Sequence, residues 1–269
     1  MPIPKDRVPA LFVRFFFDIL LPEQYTKILY IDTDVRICRD GLSHVFDIEV
    51  GSYPIAAAAD GTELMRPHDK EWHKKKNRIG LNADDLLFNA GILLINRKAY
   101  AEQQIGQKAL TYLANCRHPD CMDDQCALNA VLRNNWLELS PIYNWTIISR
   151  AWLLDEFDPL LIHYISRSKP WRDYKNRVPA AYKSDMKRFF EVHHMGDAFT
   201  TYPWHRRFLL DLKSAFMHGV DRLGLDQRAR LIRRFMQNFD AAGMRVVPIK
   251  GATMIREEKA RMRMDQVGR

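Results

Sequence analysis

No stretch of this chain is apolar for long enough to span a bilayer. The longest apolar runs, Ala90 to Ile95 and Ile55 to Ala59, fall far short of the roughly 18 residues needed, so no transmembrane helix is expected. The opening residues, Met1 to Asp6, carry charge without an apolar stretch leading to a small-residue cleavage site. That excludes a signal peptide and makes the cytoplasm the expected location. Cysteine is scarce, with four residues (Cys38, Cys116, Cys121, Cys126) and no C-x-x-C pair, so the usual structural zinc and redox signatures are missing. Cys116, His118, Cys121 and Cys126 lie close in sequence, but five-residue spacings suit a helix face less well than i, i+4. The reading is therefore reduced, buried thiols rather than zinc. Internal repeats and low-complexity tracts are also absent, which excludes repeat architectures.

What is present suits a globular enzyme. A chain of 269 residues with 47% hydrophobic and 28% charged residues can bury a substantial core, and one large α/β domain with an appendage is expected. The net charge of +8 is unevenly placed. Residues 204–269 hold 15 lysines and arginines against 7 acidic residues, while the preceding part holds 26 of each sign. The expected division is a neutral catalytic body over residues 1–203 and a basic extension over 204–269. Uneven charge speaks to partners rather than to fold, and here it points to an anionic surface.

Along the chain, Leu11, Phe12, Phe15, Phe16 and Ile19 recur at helical spacing, predicting a helix that ends near Pro22. Lys27 to Ile31 is a short apolar strand that stops at Asp32-Thr33-Asp34, so the two carboxylates are placed at a strand's C-terminal edge, where open α/β sheets bind ligands. A second strand runs from Pro54 to Ala59 and meets Asp60-Gly61. Glu63 to Arg78 is highly charged and reads as a mobile surface segment. Phe88 to Asn96 is a third, buried strand, followed by a helix over Arg97 to Asn115. Asp123-Asp124-Gln125 opens another helix running to Leu132, with its acidic residues where the helix dipole favours them. Leu160 to Tyr164 is a fourth strand, leading into Ser166-Arg167-Ser168-Lys169-Pro170-Trp171. Strands alternating with helices predict a mixed, mostly parallel sheet. Beyond residue 204 there are two amphipathic stripes, Phe208, Leu209, Leu212, Phe216 and Val220, then Leu231, Ile232, Phe235, Met236 and Phe239. Such stripes either meet a membrane surface or pack on the body.

Asp32-x-Asp34 offers two hard oxygen ligands for a divalent cation bound to phosphates. Alone, the pattern also fits a simple strand-to-turn junction, or the nucleophile of a haloacid-dehalogenase-type phosphatase. His163, six residues before Lys169 in a loop of Ser, Arg, Lys and Pro, shifts the balance. Two carboxylates and one imidazole form a sensible shell for Mn²⁺ or Mg²⁺, and the nitrogen favours Mn²⁺. Tyr143, Trp145 and Trp152 are candidates for stacking on a sugar, although aromatics at such spacing are more often core.

Four motifs then occur in one order: Tyr30-Ile31-Asp32-Thr33-Asp34, Phe88-Asn89-Ala90-Gly91, Asp124-Gln125-x-x-Leu128-Asn129 and His163-Tyr164-x-x-x-x-Lys169-Pro170-Trp171. They resemble glycosyltransferase family 8, the lipopolysaccharide galactosyl- and glucosyltransferases, over about Pro9 to Trp171. The resemblance implies a GT-A fold, a mixed, mostly parallel α/β sheet flanked by helices. It also implies a retaining transferase moving galactose or glucose from a UDP conjugate to an acceptor sugar of a bacterial envelope glycan. Carried over by position, Asp32, Asp34 and His163 match the metal ligands, and Lys169 and Ser166 match the diphosphate loop. Asp60, Asn89 and Asp124 match positions that meet the donor sugar. Gln125 matches the residue beside the sugar's β-face. Asp124 and Gln125 are thus the catalytic candidates, and Asn89 and Asp124 also have structural readings as a strand end and a helix cap.

Two departures qualify the resemblance. Ser166 stands where the family has glycine, which suggests weaker diphosphate binding. Family members normally begin with a βαβ unit that holds uridine, and this chain starts after it, so it is expected to be N-terminally incomplete. The alternatives are the phosphatase and a catalytically degenerate sugar-nucleotide-binding remnant. The expected partners are a UDP-hexose, a saccharide or lipid-linked saccharide acceptor and an anionic membrane surface, with no nucleic acid. The central structural expectation is that Asp32, Asp34 and His163 meet in one coordination sphere.

Overall fold

The computed structural model describes residues 9–65, 69–121, 123–147, 150, 152–165, 169, 171, 180–195 and 203–241. Six strands are present among them: β1 (Lys27–Ile31), β2 (Val35–Ile37), β3 (Ile55–Ala58), β4 (Ile92–Asn96), β5 (Leu137–Leu139) and β6 (Leu161–His163). The helices are α1 (Phe17–Leu20), α2 (Gly61–Met65), α3 (Lys70–Arg78), α4 (Arg97–Glu102), α5 (Ile105–Asn115) and α6 (Asp124–Leu132). They continue with α7 (Trp152–Phe157), α8 (Ala180–Val192), α9 (Trp204–Arg222) and α10 (Gln227–Ala241). A main sheet in the order β1-β4-β3-β5 carries a separate two-stranded sheet, β2-β6, on one side.

The main sheet is mixed, with helices flanking it. β4 runs antiparallel to both β1 and β3, and β3 runs parallel to β5. The parallel share among the described strands is therefore the β3/β5 pair alone. Alternation of strands and helices in sequence suggests a larger share, but β4 inserts between β1 and β3 and reverses both pairings. β3 and most of β4 are buried on both faces, which is why they read as continuous apolar runs. Ile55, Ala57, Leu93 and Ile95 face a core shared with α5, α6 and α10, and Ala56, Ile92 and Leu94 face a second core with Leu137, Leu139 and Leu161.

Several local expectations are revised. The N-terminal segment is a 3-10 helix over Pro9–Phe16 that passes into α1. Its three-residue repeat stacks Phe12 and Phe15, both buried, while Ile19 is exposed. The helix after β4 breaks in two because Gln104 adopts φ +54 between α4 and α5. Gly106 follows, and a Cβ there would lie 1.8 Å from the Phe15 carbonyl oxygen, so only glycine lets α5 cross the N-terminal helix. Asp123 rather than Asp124 caps α6, its carboxylate accepting the Cys126 N–H at 2.6 Å. The highly charged stretch from Glu63 to Arg78, read as a mobile surface segment, supplies α2 and α3 instead. Lys76 and Glu63 form an ion pair at 2.5 Å with both side chains fully buried, Trp72 Nε1 donates to Glu63 at 3.0 Å, and Lys76 donates to the Asp85 carbonyl at 2.6 Å. Charge density is a poor guide here because the pair is neutralised internally, and removing one partner would strand a buried charge.

The helices beyond residue 203 divide by environment. In α10, Ala229, Ile232, Phe235 and Met236 are buried in the same core as the sheet. Arg150 holds Asp226 through two bonds of 2.8 and 2.9 Å, Arg233 pairs with Asp221, and Trp152 Nε1 donates to Asp221. In α9, Trp204, Phe208, Leu209, Leu212 and Phe216 stand exposed along one face. Among the described residues no helix is long and apolar enough to cross a membrane. Cys121 and Cys126 are buried and Cys38 and Cys116 half-buried, all as free thiols. Burial first, then nearby thiols or carboxylates, pushes the Cys121 and Cys126 thiols up, so they stay protonated.

Glu138, in the middle of β5, is buried with neither carboxylate oxygen hydrogen-bonded. Burial, reinforced by Glu63, pushes its carboxyl up to about 8 from an ordinary 4.5. Because the folded-state value lies above the unfolded one, the associated stability is complete below about 4.5 and is lost as pH rises towards 8. The slope is about 1.4 kcal/mol per pH unit. Glu138→Gln is expected to remove that slope, gaining about 2 to 3 kcal/mol over the wild type between pH 5.5 and 7.5. Urea unfolding at both pH values measures it, and parallel pH profiles for the two proteins would refute the assignment.

Candidate functional site

The site forms where β1 ends. The Asp32 N–H donates to the Gly91 carbonyl at 2.8 Å, extending the β1/β4 ladder by one residue, and the Val35 N–H then turns back onto the Asp32 carbonyl at 3.2 Å. Thr33 and Asp34 occupy the turn, and β2 starts directly after it. β2 pairs with β6 in a register that sets Val35 opposite His163. The Tyr164 N–H donates to the Asp34 carbonyl at 3.0 Å. Backbone pairing thus delivers the imidazole to the two carboxylates across about 130 residues of chain. His163 Nε2 lies 3.2 Å from Asp34 Oδ1 and 3.7 Å from Asp32 Oδ2. One ligand atom from each of the three residues falls within 4.8 Å of the others.

Lys169 Nζ pairs with Asp34 Oδ2 and also donates to the Tyr164 carbonyl. Burial raises the Asp34 carboxyl, but the neighbouring His163 and Lys169 outweigh it and bring the group down to about 2. Asp34 is therefore ionised across the physiological range and acts only as an acceptor. The donor set of two carboxylates and one imidazole suits a divalent cation, and the packing around it is consistent with a built site. A Cβ on Gly91 would lie 2.1 Å from His163 Cε1 and 2.9 Å from Asp32 Oδ2, so the imidazole occupies the space that any side chain at position 91 would fill.

A second group surrounds Arg14, which is buried within the apolar N-terminal segment. Its guanidinium donates to Asp32 Oδ1 at 3.0 Å, the Tyr30 hydroxyl at 2.6 Å and the Ala90 carbonyl at 2.5 Å, and pairs with Asp124 Oδ2 at 2.8 Å. It also lies 4.2 Å from the centroid of the Tyr30 ring. The Tyr30 hydroxyl itself donates to Asp32 Oδ1. Burial pushes that phenol up, so it remains a donor. Burial likewise raises the Asp124 carboxyl, with Arg14 pulling it back in part.

The remaining expected residues join these two groups. Gln125 accepts the Ala90 N–H at 3.1 Å and donates to Asp60 Oδ2 at 3.4 Å, while Asp60 Oδ1 accepts the Thr62 N–H at 2.9 Å at the start of α2. Asn89 Oδ1 accepts the Gly91 N–H at 3.1 Å and lies 3.0 Å from His163 Nδ1. Asn129 brackets Phe88, accepting its N–H at 2.9 Å and donating to its carbonyl at 3.0 Å, which locks α6 against the segment before β4 that carries Asn89. Asp32, Asp34, Asp60, Asn89, Asp124, Gln125, His163 and Lys169 are thus gathered at one end of the sheet. Ser166 lies outside the described residues.

Sequence reading missed Arg14, Tyr30 as a ligand partner, and Asn144. Arg14 had a signal, as the one cation in a helical run that is apolar apart from it and Asp18, whereas nothing local marks Asn144. Of the aromatic candidates, Trp145 is fully buried against Phe157 and is core, while Trp152 is half-buried at the core's edge and stacks on His218. The tryptophan that borders open space near the site is Trp171. It lines a cavity of about 130 Å³ with Thr33, Asp34, Arg36, Tyr164 and Met186.

The family model for glycosyl transferase family 8 matches residues 2–175, and the chain belongs to that family. It is 29% identical over 174 residues to the probable glycosyl transferase Gly of Streptococcus gordonii, covering 63% of this chain and 23% of that protein. It is 26% identical over 194 residues to the lipopolysaccharide glucosyltransferase WaaO of Escherichia coli, covering 67% of this chain and 54% of that protein. The chain therefore spans about half or less of the length of these relatives. The crystal structure of the galactosyltransferase LgtC with donor and acceptor sugar analogs shares the fold, with a TM-score of 0.51 at 24% identity over 73% of this chain and 69% of that one. Nothing in the match or the geometry supports the phosphatase alternative.

Gly91→Ala is expected to displace the His163 ring and weaken divalent-cation binding by roughly 10- to 100-fold, the usual effect of disturbing a ligand's support. Titration of the folded variant with Mn²⁺, followed by electron paramagnetic resonance, reads this directly. Wild-type affinity in that variant would show that the ring needs no such place.

Proposed function

We propose that this chain carries the catalytic site of a retaining hexosyltransferase that uses a UDP-sugar with galactose or glucose as donor and an envelope glycan as acceptor. The carrying observation is the convergence of Asp32, Asp34 and His163 beside Lys169 in a member of this family. Mn²⁺, or Mg²⁺, would be held by those three residues and would supply Lewis-acid neutralisation of the diphosphate leaving group. Lys169, now paired with Asp34, is placed to turn its ammonium onto the same diphosphate. Charge develops there as the sugar departs, so the lysine stabilises the transition state more than the ground state.

The sugar end of the donor falls to Asp124, Asp60, Asn89 and Gln125. Arg14 holds Asp124 and Asp32 on one guanidinium, so the hydroxyl-binding carboxylate and the cation-binding carboxylate keep a constant separation. Gln125 has its carbonyl committed to the Ala90 N–H, and an amide is a poor nucleophile. Departure of the diphosphate and attack by the acceptor on the same face, within an ion pair, is the route these groups favour over a covalent glycosyl-enzyme. A division at residue 203 is then one of function, with α9 serving to place the catalytic body.

That placement is on the cytoplasmic face of a membrane. α9 presents Trp204, Phe208, Leu212 and Phe216 at four-residue spacing, all exposed, within the region that carries the whole basic excess. Apolar side chains at a headgroup boundary flanked by arginine and lysine are the signature of an interfacial helix. α10 has no such role, because its stripe is spent on the core.

Two measurements test the proposal. Asp34→Asn is expected to lower Mn²⁺-dependent UDP binding and sugar transfer by a factor on the order of 100 or more, with cooperative unfolding retained. A folded variant with wild-type activity would refute the site, and metal-dependent UDP binding by wild-type protein without any transfer would favour the degenerate remnant. Replacing Phe208, Leu212 and Phe216 together by serine is expected to reduce co-sedimentation with anionic vesicles at least tenfold, because each apolar side chain is worth about 1.5 kcal/mol or more when buried. Unaltered vesicle binding would exclude α9 as the anchor.

A further inference from the structure

We propose that Asn144 is the positioning residue of the cation site, holding the proton of His163 on Nδ1 so that the Nε2 lone pair faces Asp32 and Asp34. The inference rests on reading that cluster as a divalent-cation site.

The hydrogen-bond directions follow from one fixed donor. The Gly91 N–H can only donate, and it meets Asn89 Oδ1 at 3.1 Å, which identifies that end of the amide as oxygen. The Asn144 amide nitrogen donates to the same oxygen at 2.9 Å and approaches the Asn89 carbonyl at 3.5 Å. The other end of Asn144 is therefore its oxygen, 3.1 Å from His163 Nδ1. Nδ1 thus faces two oxygens, Asn89 Oδ1 at 3.0 Å and Asn144 Oδ1 at 3.1 Å, and must carry hydrogen to bond either. In the neutral ring that leaves Nε2 as the lone-pair nitrogen, and Nε2 is the atom beside both carboxylates. His163, Asn89 and Asn144 are 4%, 5% and 2% exposed, so water does not compete for these bonds.

Asn144 is held firmly by its own backbone. It closes the 3-10 turn Pro141–Tyr143, donating its N–H to the Pro141 carbonyl at 3.0 Å. The next residue, Trp145, exchanges backbone bonds with both Leu161 and His163, at 2.8 and 3.0 Å. The same segment that pins β6 therefore carries the amide that sets the tautomer of its last residue. Of the two amides, Asn89 has its oxygen shared among three partners, whereas the Asn144 oxygen faces His163. Because the Asn144 amide also donates to the Asn89 oxygen, its loss removes one acceptor of Nδ1–H and loosens the other, freeing the ring to rotate or to move its proton to Nε2. The cluster would then be left with an oxygen-only donor set, which suits Mg²⁺ better than Mn²⁺.

The test compares Asn144→Ala and Asn144→Asp in the full chain. Alanine removes the acceptor. Aspartate keeps an oxygen for Nδ1–H, while it replaces the amide donor to Asn89 by a second oxygen and adds a negative charge. Bound Mn²⁺ is followed by electron paramagnetic resonance, with electron spin echo modulation reporting a directly coordinated nitrogen. Asn144→Ala is expected to bind Mn²⁺ roughly 10- to 100-fold more weakly, to lose the nitrogen modulation and to shift its preference towards Mg²⁺. Asn144→Asp should keep the modulation and affinity close to wild type. Retention of affinity and modulation by a folded Asn144→Ala overturns the proposal. Should the alanine variant not fold, loss of modulation in Asn144→Asp overturns it instead. Wild-type protein that binds no Mn²⁺, or binds it without nitrogen modulation, refutes the underlying cation-site reading and this inference with it.

Discussion

Three carboxylates, Asp32, Asp34 and Asp124, meet at one end of the sheet, and their mutual repulsion at a half-buried site has to be offset by cations brought in from distant parts of the chain. Arg14 spans Asp32 and Asp124 from the N-terminal segment, and Lys169 closes on Asp34 from the loop after β6. Both depend on backbone pairing for their positions. Without the β2/β6 register, neither His163 nor Lys169 would reach Asp34. Without the close crossing that Gly106 allows, the helix carrying Arg14 would not lie against α5. Coulombic attraction in a partly desolvated setting is strong enough to hold such a group together, and costly enough when broken to make it all-or-none.

Around that charged centre, side-chain amides do the finer work. Asn129 brackets Phe88, Asn89 shares one oxygen among Gly91, Asn144 and His163, and Gln125 ties Ala90 to Asp60. An amide offers a donor and an acceptor without net charge, so it can fix direction inside the fold without adding to the repulsion. The consequence for catalysis is division of labour: carboxylates and imidazole meet the cation, while amides keep each of them in one orientation.

The C-terminal helices show how the same sequence signal leads to different structures. α9 and α10 both carry apolar stripes at helical spacing with arginines opposite. α10 is drawn into the core by its buried Ala229, Ile232, Phe235 and Met236, with Asp226 at its start held by Arg150, whereas α9 keeps its stripe outward although Asp221 in its last turn is held by Trp152 and Arg233. An amphipathic period states that one face seeks an apolar surface, and leaves open whether that surface is protein or lipid.

Strand and helix positions near the site were legible in sequence, since β1 and α6 fall within a residue of where periodicity and the acidic turn place them, and Asp32, Asp34, His163 and Lys169 were identified from motif order. Those signals are local, set by neighbouring residues. What sequence could not determine is long-range. It could not say that β4 would insert between β1 and β3, that Glu63 and Lys76 would neutralise each other inside the core, or that Arg14 would reach two carboxylates at once. Nor could it single out Asn144, an ordinary polar residue whose importance exists only because β6 passes beside it. Each of these rests on a contact between segments far apart in the chain, and such contacts are chosen by burial and charge balance over the whole fold.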